Sequence, residues 1–205
     1  MITQTKESQS KLTPQSALEL LQAGNKRFAN GETTVKELPK QVQETVGGQF
    51  PYAAILSCID SRTSSELIFD LGIGDIFNAR LAGNVVNEDV LGSLEYSCKV
   101  AGSKLVVVLG HSSCGAVTAA CKKVELGNVT ALLNKIQPAV ANIAKNEADV
   151  TTPEAVQKVA DENVRLAIEE IREKSPILAE MEKNNEIAIV GGMYDISNGK
   201  VTFFK

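Results

Sequence analysis

The sequence predicts an α/β fold in one domain, with a mostly parallel central sheet, an antiparallel edge strand and flanking helices. Three observations carry this expectation. Tyr52–Ser57, Ile76–Ala79 and Lys104–Leu109 are apolar runs of strand length. The stretch Asn87–Val100 and the region after Cys114 have the length that crossovers between parallel strands require. Glu186–Tyr194 and Val201–Phe204 read as strands separated by a turn containing Asn198-Gly199, the strongest short hairpin signal, which makes the sheet mixed at its edge. The 205 residues suffice for one full core. No repeat, low-complexity tract or composition break divides them, so residues 1–205 are expected to form a single domain.

Taken in order, residues 1–11 are expected to be a flexible N-terminal tail. Thr13-Pro14 then reads as an N-cap with proline at the first helical position, and Leu18, Leu21 and Phe28 recur at helical spacing as far as Asn30-Gly31. This stripe precedes every core strand, and two readings stand: the helix covers its own sheet, or it packs on a dimer partner. The first apolar run ends at Cys58, the second at Arg80 and the third at Gly110-His111. Ligands collect at the carboxyl ends of strands in open parallel sheets, where Cys58 and His111 fall. Thr152-Pro153-Glu154 starts another helix and Ser175-Pro176 restarts one after a break, so a helical half follows.

Composition narrows the function. With 43% apolar and 22% charged residues the chain is ordinary for a globular protein. A net charge of -4 provides no electrostatic reason for nucleic acid or an anionic membrane as partner, whereas a small uncharged substrate suits it. No apolar run approaches the roughly 18 residues of a bilayer span. Met1–Ser10 is polar and lacks the apolar centre of a secretory signal, so the cytoplasm is expected, or the periplasm if an export signal was removed before residue 1. Of the four cysteines, Cys58 and Cys114 lie beside Asp60 and the only histidine, which points to metal binding and reduced thiols over disulfides. Cys98 and Cys121 fall within expected helices and read as core residues. Gly72-Ile73-Gly74 lacks the third glycine of a dinucleotide loop and reads as a turn.

The chemistry concentrates in Cys58-Ile59-Asp60-Ser61-Arg62 and His111-Ser112-Ser113-Cys114-Gly115. Residues i and i+2 leaving a strand point to the same side, so Cys58 and Asp60 can share a site. The two residues between His111 and Cys114 suit a turn into a helix. Thiolates and imidazole fit zinc, whereas magnesium or calcium would need oxygen ligands. The spacing alone leaves metal ligation and buried core cysteines both open. If zinc binds, three ligands leave a place for water and four close the site. Arg62 can hold Asp60 as a bidentate partner and keep it off the metal, leaving Cys58, His111 and Cys114. An incidental ion pair is the bland reading of that dyad.

Cys-x-Asp-Ser-Arg followed by Gly-His-x-x-Cys-Gly resembles the paired signature of β-class carbonic anhydrases. Gly74-Asp75-Ile76-Phe77, Arg80 with Ala82-Gly83-Asn84, Leu94-Glu95-Tyr96 and Tyr194-Asp195 with Gly199 resemble the family in the same order, from about Leu12 to Phe204. The resemblance implies one zinc per chain and reversible hydration of carbon dioxide to bicarbonate by zinc-bound hydroxide. It places Asp60, Arg62 and Gln49 in catalysis, the last as a donor to a substrate oxygen. It places Phe77, Ala82, Tyr96 and Gly115 in a small pocket, with Gln49 and the aromatics supplied by a neighbouring subunit, hence a homodimer or dimer of dimers. In a closed state Asp60 would become a fourth ligand.

The chain also departs from the family pattern. Leu81 follows Arg80 where many members have asparagine, and Ala82 is smaller than the frequent valine, so the pocket shape is expected to differ. Ile55 stands where members with a regulatory bicarbonate site carry tryptophan, which argues against that site here. Competing expectations are hydrolysis of carbonyl sulfide or carbon disulfide on the same scaffold, and a non-enzymatic zinc-stabilised oligomer. A closed structural site would need neither Arg62 nor Gln49.

Overall fold

A computed structural model describes residues 3–204. Its helices are α1 (Lys6–Ser10), α2 (Pro14–Asn30), α3 (Leu38–Thr45), α4 (Ser65–Ile68), α5 (Glu88–Glu95), α6 (Gly115–Cys121), α7 (Gly127–Asn134), α8 (Gln137–Ile143), α9 (Pro153–Lys174) and α10 (Pro176–Lys183). The strands are β1 (Ala53–Ser57), β2 (Ile76–Arg80), β3 (Leu105–His111), β4 (Ala188–Tyr194) and β5 (Val201–Phe204). They form one sheet in the order β2-β1-β3-β4-β5. The first three pairings are parallel and β4–β5 is antiparallel, as the turn signal at Asn198-Gly199 predicts.

Strands β1 and β3 are buried along their whole length because helices cover both faces, which explains their uninterrupted apolar runs. Alternate residues serve opposite layers. Ala54, Leu56, Val106 and Val108 join α5, α9 and α10 on one face. Ala53, Ile55, Leu105, Val107 and Leu109 meet α2 and Phe69 on the other. A third apolar cluster, around α6, α8 and the start of α9, backs Cys58 and Cys114.

Helix α2 covers its own sheet, the first of the two readings of the N-terminal stripe. Ala17 and Leu21 are wholly buried against the chain's own sheet, with Leu18 and Phe28 packed at the margin. Its backbone approaches so closely at Gly24 that a Cβ there would lie 1.9 Å from the Phe69 carbonyl oxygen. The buried part of the apolar stripe therefore belongs to this chain's own core.

The segment 1–11, expected as a flexible tail, instead carries α1 within its described part. Thr5 and Ser8 form a reciprocal cap, and Gln9 is buried, its amide donating to the carbonyls of Pro51 (2.7 Å) and Ala101 (2.8 Å). Two long-range hydrogen bonds from one buried side chain tie down a helix too short to persist alone. Residues 1 and 2 of that expectation lie outside the described residues.

Candidate metal centre

Adjacent parallel strands bring the two halves of the motif together. Ser57 lies opposite Leu109, so Cys58 and His111 leave the sheet at the same carboxyl edge. Ser113, in the left-handed region at φ 55°, turns the chain so that Cys114 becomes the residue before α6. Cys58, His111 and Cys114 are all buried, and one donor atom from each lies within 4.8 Å of the others. The sulfurs are 4.0 Å apart. Two thiolates on a tetrahedral zinc sit about 3.8 Å apart, so the spacing suits that ion.

The imidazole is oriented for ligation. His111 Nδ1 lies 2.9 Å from the Ser112 carbonyl oxygen, which only accepts, so Nδ1 carries the proton. Nε2 is left with a lone pair, wholly buried and without a hydrogen-bond partner. Leaving such an atom unpaired is costly, and a metal between it and the sulfurs removes the cost. The two thiols divide a proton. Their mutual hydrogen bond, aided by the Gly83 N–H, pushes Cys58 down against the opposing effect of burial. The same bond and burial push Cys114 up. A divalent cation displaces that proton, as thiolate ligation requires.

Asp60 stands at the rim. Arg62 donates from its backbone N–H and Nε to Asp60 Oδ1, both at 2.9 Å, and from Nη2 to Oδ2 at 2.7 Å. These bonds hold the carboxyl well below the usual carboxylate range. Asp60 Oδ2 is 4.0 Å from His111 Nε2, so the carboxylate, expected as a fourth ligand only in a closed state, faces the cluster with both oxygens engaged by Arg62. Four further hydrogen bonds, made by three residues, escaped the sequence reading. Arg80 donates to the carbonyls of Cys58 (3.0 Å) and Asp60 (2.7 Å), Thr63 Oγ1 to that of Cys58 (3.1 Å), and the Gly83 N–H to Cys58 Sγ (3.3 Å). Only the Arg80 and Gly83 motifs hinted at them.

The expected pocket residues fall into two groups. Ala82 lies between Leu81, whose N–H donates to the Ser57 carbonyl, and Gly83, while Gly115 follows Cys114 directly, so both belong to the metal side. Gln49, Phe77 and Tyr96 instead line a separate cavity of about 590 Å³. The two rings meet edge to face with centroids 6.1 Å apart. Gln49 precedes β1 and Cys58 follows it, and Phe77 pairs with Ala54 near the start of that strand. Five residues of strand separate the groups by about 15 Å. Cys98 and Cys121 are buried outside the donor set, and burial pushes the Cys98 thiol up to about 12.

Fold and donor set together define a class: an α/β protein whose parallel strand ends carry a buried, three-donor site suited to a soft or borderline cation. Residues 53–201 match the family model described as carbonic anhydrase. The chain belongs to the β-class carbonic anhydrase family. It is 35% identical to carbonic anhydrase 2 of Mycobacterium tuberculosis over 196 residues, 91% of each chain. A β-carbonic anhydrase of Aspergillus fumigatus superposes with a TM-score of 0.73 at 26% identity, over 93% of this chain and 90% of that one. A tetrameric β-carbonic anhydrase of Sordaria macrospora shares the fold, with a TM-score of 0.75 at 24% identity over 93% and 95% of the two chains.

Proposed function

We propose that this protein catalyses the reversible hydration of carbon dioxide to bicarbonate, with one zinc ion held by Cys58, His111 and Cys114. The observation that carries the proposal is the buried, proton-free Nε2 of His111 facing two sulfurs, beside a carboxylate that Arg62 keeps ionised. Bound there, zinc would supply the Lewis acidity that generates a water-derived nucleophile near neutral pH. Asp60, charged and fixed, offers an acceptor that orients the proton of that nucleophile away from the substrate carbon. Arg62 acts through Asp60, by occupying the oxygens that would otherwise reach the metal. The only histidine is a ligand, so the proton leaves through water or buffer.

Gln49, with its amide donor, and the Phe77–Tyr96 pair complete the pocket from a second subunit, because within one chain they lie at the far end of β1. A homodimer is thus the smallest functional unit, and the tetrameric Sordaria macrospora relative is consistent with a dimer of dimers. No described helix is long and apolar enough to cross a membrane. The cytoplasm suits a site built on two reduced thiols.

Stopped-flow carbon dioxide hydration with metal analysis tests the proposal, with carbonyl sulfide as the competing substrate. We expect about one zinc per chain and hydration near the rates of efficient enzymes. Cys58→Ser and Cys114→Ser should each lose most of the metal. Full zinc and activity in both variants would overturn the assignment.

A further inference from the structure

Helix α9 carries one polar residue in the middle of its buried stripe. Ala155, Val156, Val159, Ala160, Val164, Ala167, Ile168 and Ile171 pack inward at helical spacing, and Asn163 lies among them, 5% exposed. An amide in such a place is costly unless it is used. Its Nδ2 donates to the Gly83 carbonyl at 2.8 Å, and the Gly83 N–H in turn donates to Cys58 Sγ at 3.3 Å.

Gly83 is restrained from a second side. It is left-handed, at φ 69° and ψ 20°, and a Cβ there would lie 2.7 Å from Ile136 Cδ1 and 3.3 Å from Ala116 Cβ. Apolar packing thus limits where this residue can move, and the Asn163 amide fixes its carbonyl. The residue whose N–H meets the sulfur is therefore also held at its other end by a side chain 80 positions further along the chain.

We propose that Asn163 is a positioning residue for the metal centre, holding Gly83 so that its N–H stays on Cys58 Sγ. This rests on the metal reading above. An N–H on a thiolate lowers the energy of the sulfur lone pairs and limits the charge they give to a cation, so the cation keeps more of its Lewis acidity. Asn163 touches neither metal nor substrate. Its influence passes through one glycine.

The test uses the full chain loaded with cobalt in place of zinc. In wild type the sulfur-to-cobalt charge-transfer band reports the lone-pair energy. Asn163→Leu, similar in size and without a donor, should keep its cobalt, shift that band to lower energy and lose about 10-fold or more in carbon dioxide hydration. Asn163→Asp places an acceptor against the Gly83 carbonyl and should shift the band in the same direction, which keeps the test decisive if the leucine variant does not fold. Cadmium-113 wild-type protein supplies a readout independent of any variant: scalar coupling from the metal, across Cys58 Sγ, to the Gly83 amide proton. A folded variant with the wild-type band, or absence of that coupling, overturns the positioning role while leaving the metal centre standing. A wild type that takes up no cobalt overturns both.

Discussion

The carboxylate of Asp60 is contested by two cations, the guanidinium that holds both its oxygens and any metal between Cys58, His111 and Cys114. Removing either member of the dyad should therefore spare the three ligands and damage catalysis in two different ways. Arg62→Ala is expected to keep its zinc and lose about 100-fold in activity, because the freed carboxylate moves onto the metal. Asp60→Ala should keep zinc and lose a comparable amount, because the oriented acceptor is gone. Cobalt-substituted protein separates them, with carboxylate coordination in Arg62→Ala and none in Asp60→Ala. Near-normal hydration in Arg62→Ala would remove the gatekeeping role and leave the zinc assignment intact. At this scale the sequence was informative, since ligands and dyad lie within two short segments whose spacing reports their geometry. Asn163 and the Gly83 N–H were silent, since nothing local marks an asparagine that caps a loop 80 residues earlier.

At the scale of elements, Asp70 ties together three pieces of chain. It is wholly buried at the end of α4, at φ 51°, and pairs with Arg27 of α2 (2.6 Å), with Lys36 and with the Thr34 N–H (3.1 Å). Burial alone would raise its pKa, but the hydrogen bonds from Lys36 and Arg27 outweigh it and hold the carboxyl down to about 2. A depressed folded value means that the pairing stabilises fully above the unfolded value of about 3.9 and is lost as pH falls through the folded one. Asp70→Asn keeps the shape and tolerates the left-handed backbone, so it isolates the charge. We expect it to lower stability by about 2 kcal/mol at pH 7, the difference shrinking between roughly pH 4 and 2. Urea unfolding across that range checks it, and a pH-independent difference would show that the charge is not what matters. The helices reveal the same division between local and distant signals. α2, α9 and α10 were legible because Thr13, Thr152 and Ser175 cap them with proline following. α3, α7 and α8 have no side-chain cap and are short, so only packing defines them.

For the whole molecule, the decisive fact is that one chain holds the donor set and the Gln49–Phe77–Tyr96 cavity at opposite ends of β1. A two-fold dimer would give each site its metal ligands from one chain and its glutamine from the other. Complementation tests this directly. Gln49→Ala retains the ligands, Cys58→Ser retains the glutamine, and each homodimer should be poorly active. Mixing and refolding them in equal amounts should restore about one quarter of wild-type activity, since half the dimers are mixed and each has one complete site. Activity that stays at the mean of the two parents would show that each chain completes its own pocket. Sedimentation should find no active monomer.

The sequence by itself determined the strands, the antiparallel edge, the donor residues and the dyad. Each is written locally, as an apolar run, a turn pair or a motif of a few residues, and local spacing survives folding unchanged. Tertiary structure decided the rest. It placed the stripe of α2 on its own sheet and pinned α1 through Gln9. It set the Gly83 N–H on Cys58, and parted the pocket residues into two groups. Those outcomes depend on which distant surfaces meet when the sheet closes over its helices, and contact between residues far apart in sequence leaves no mark on the order of the residues between them.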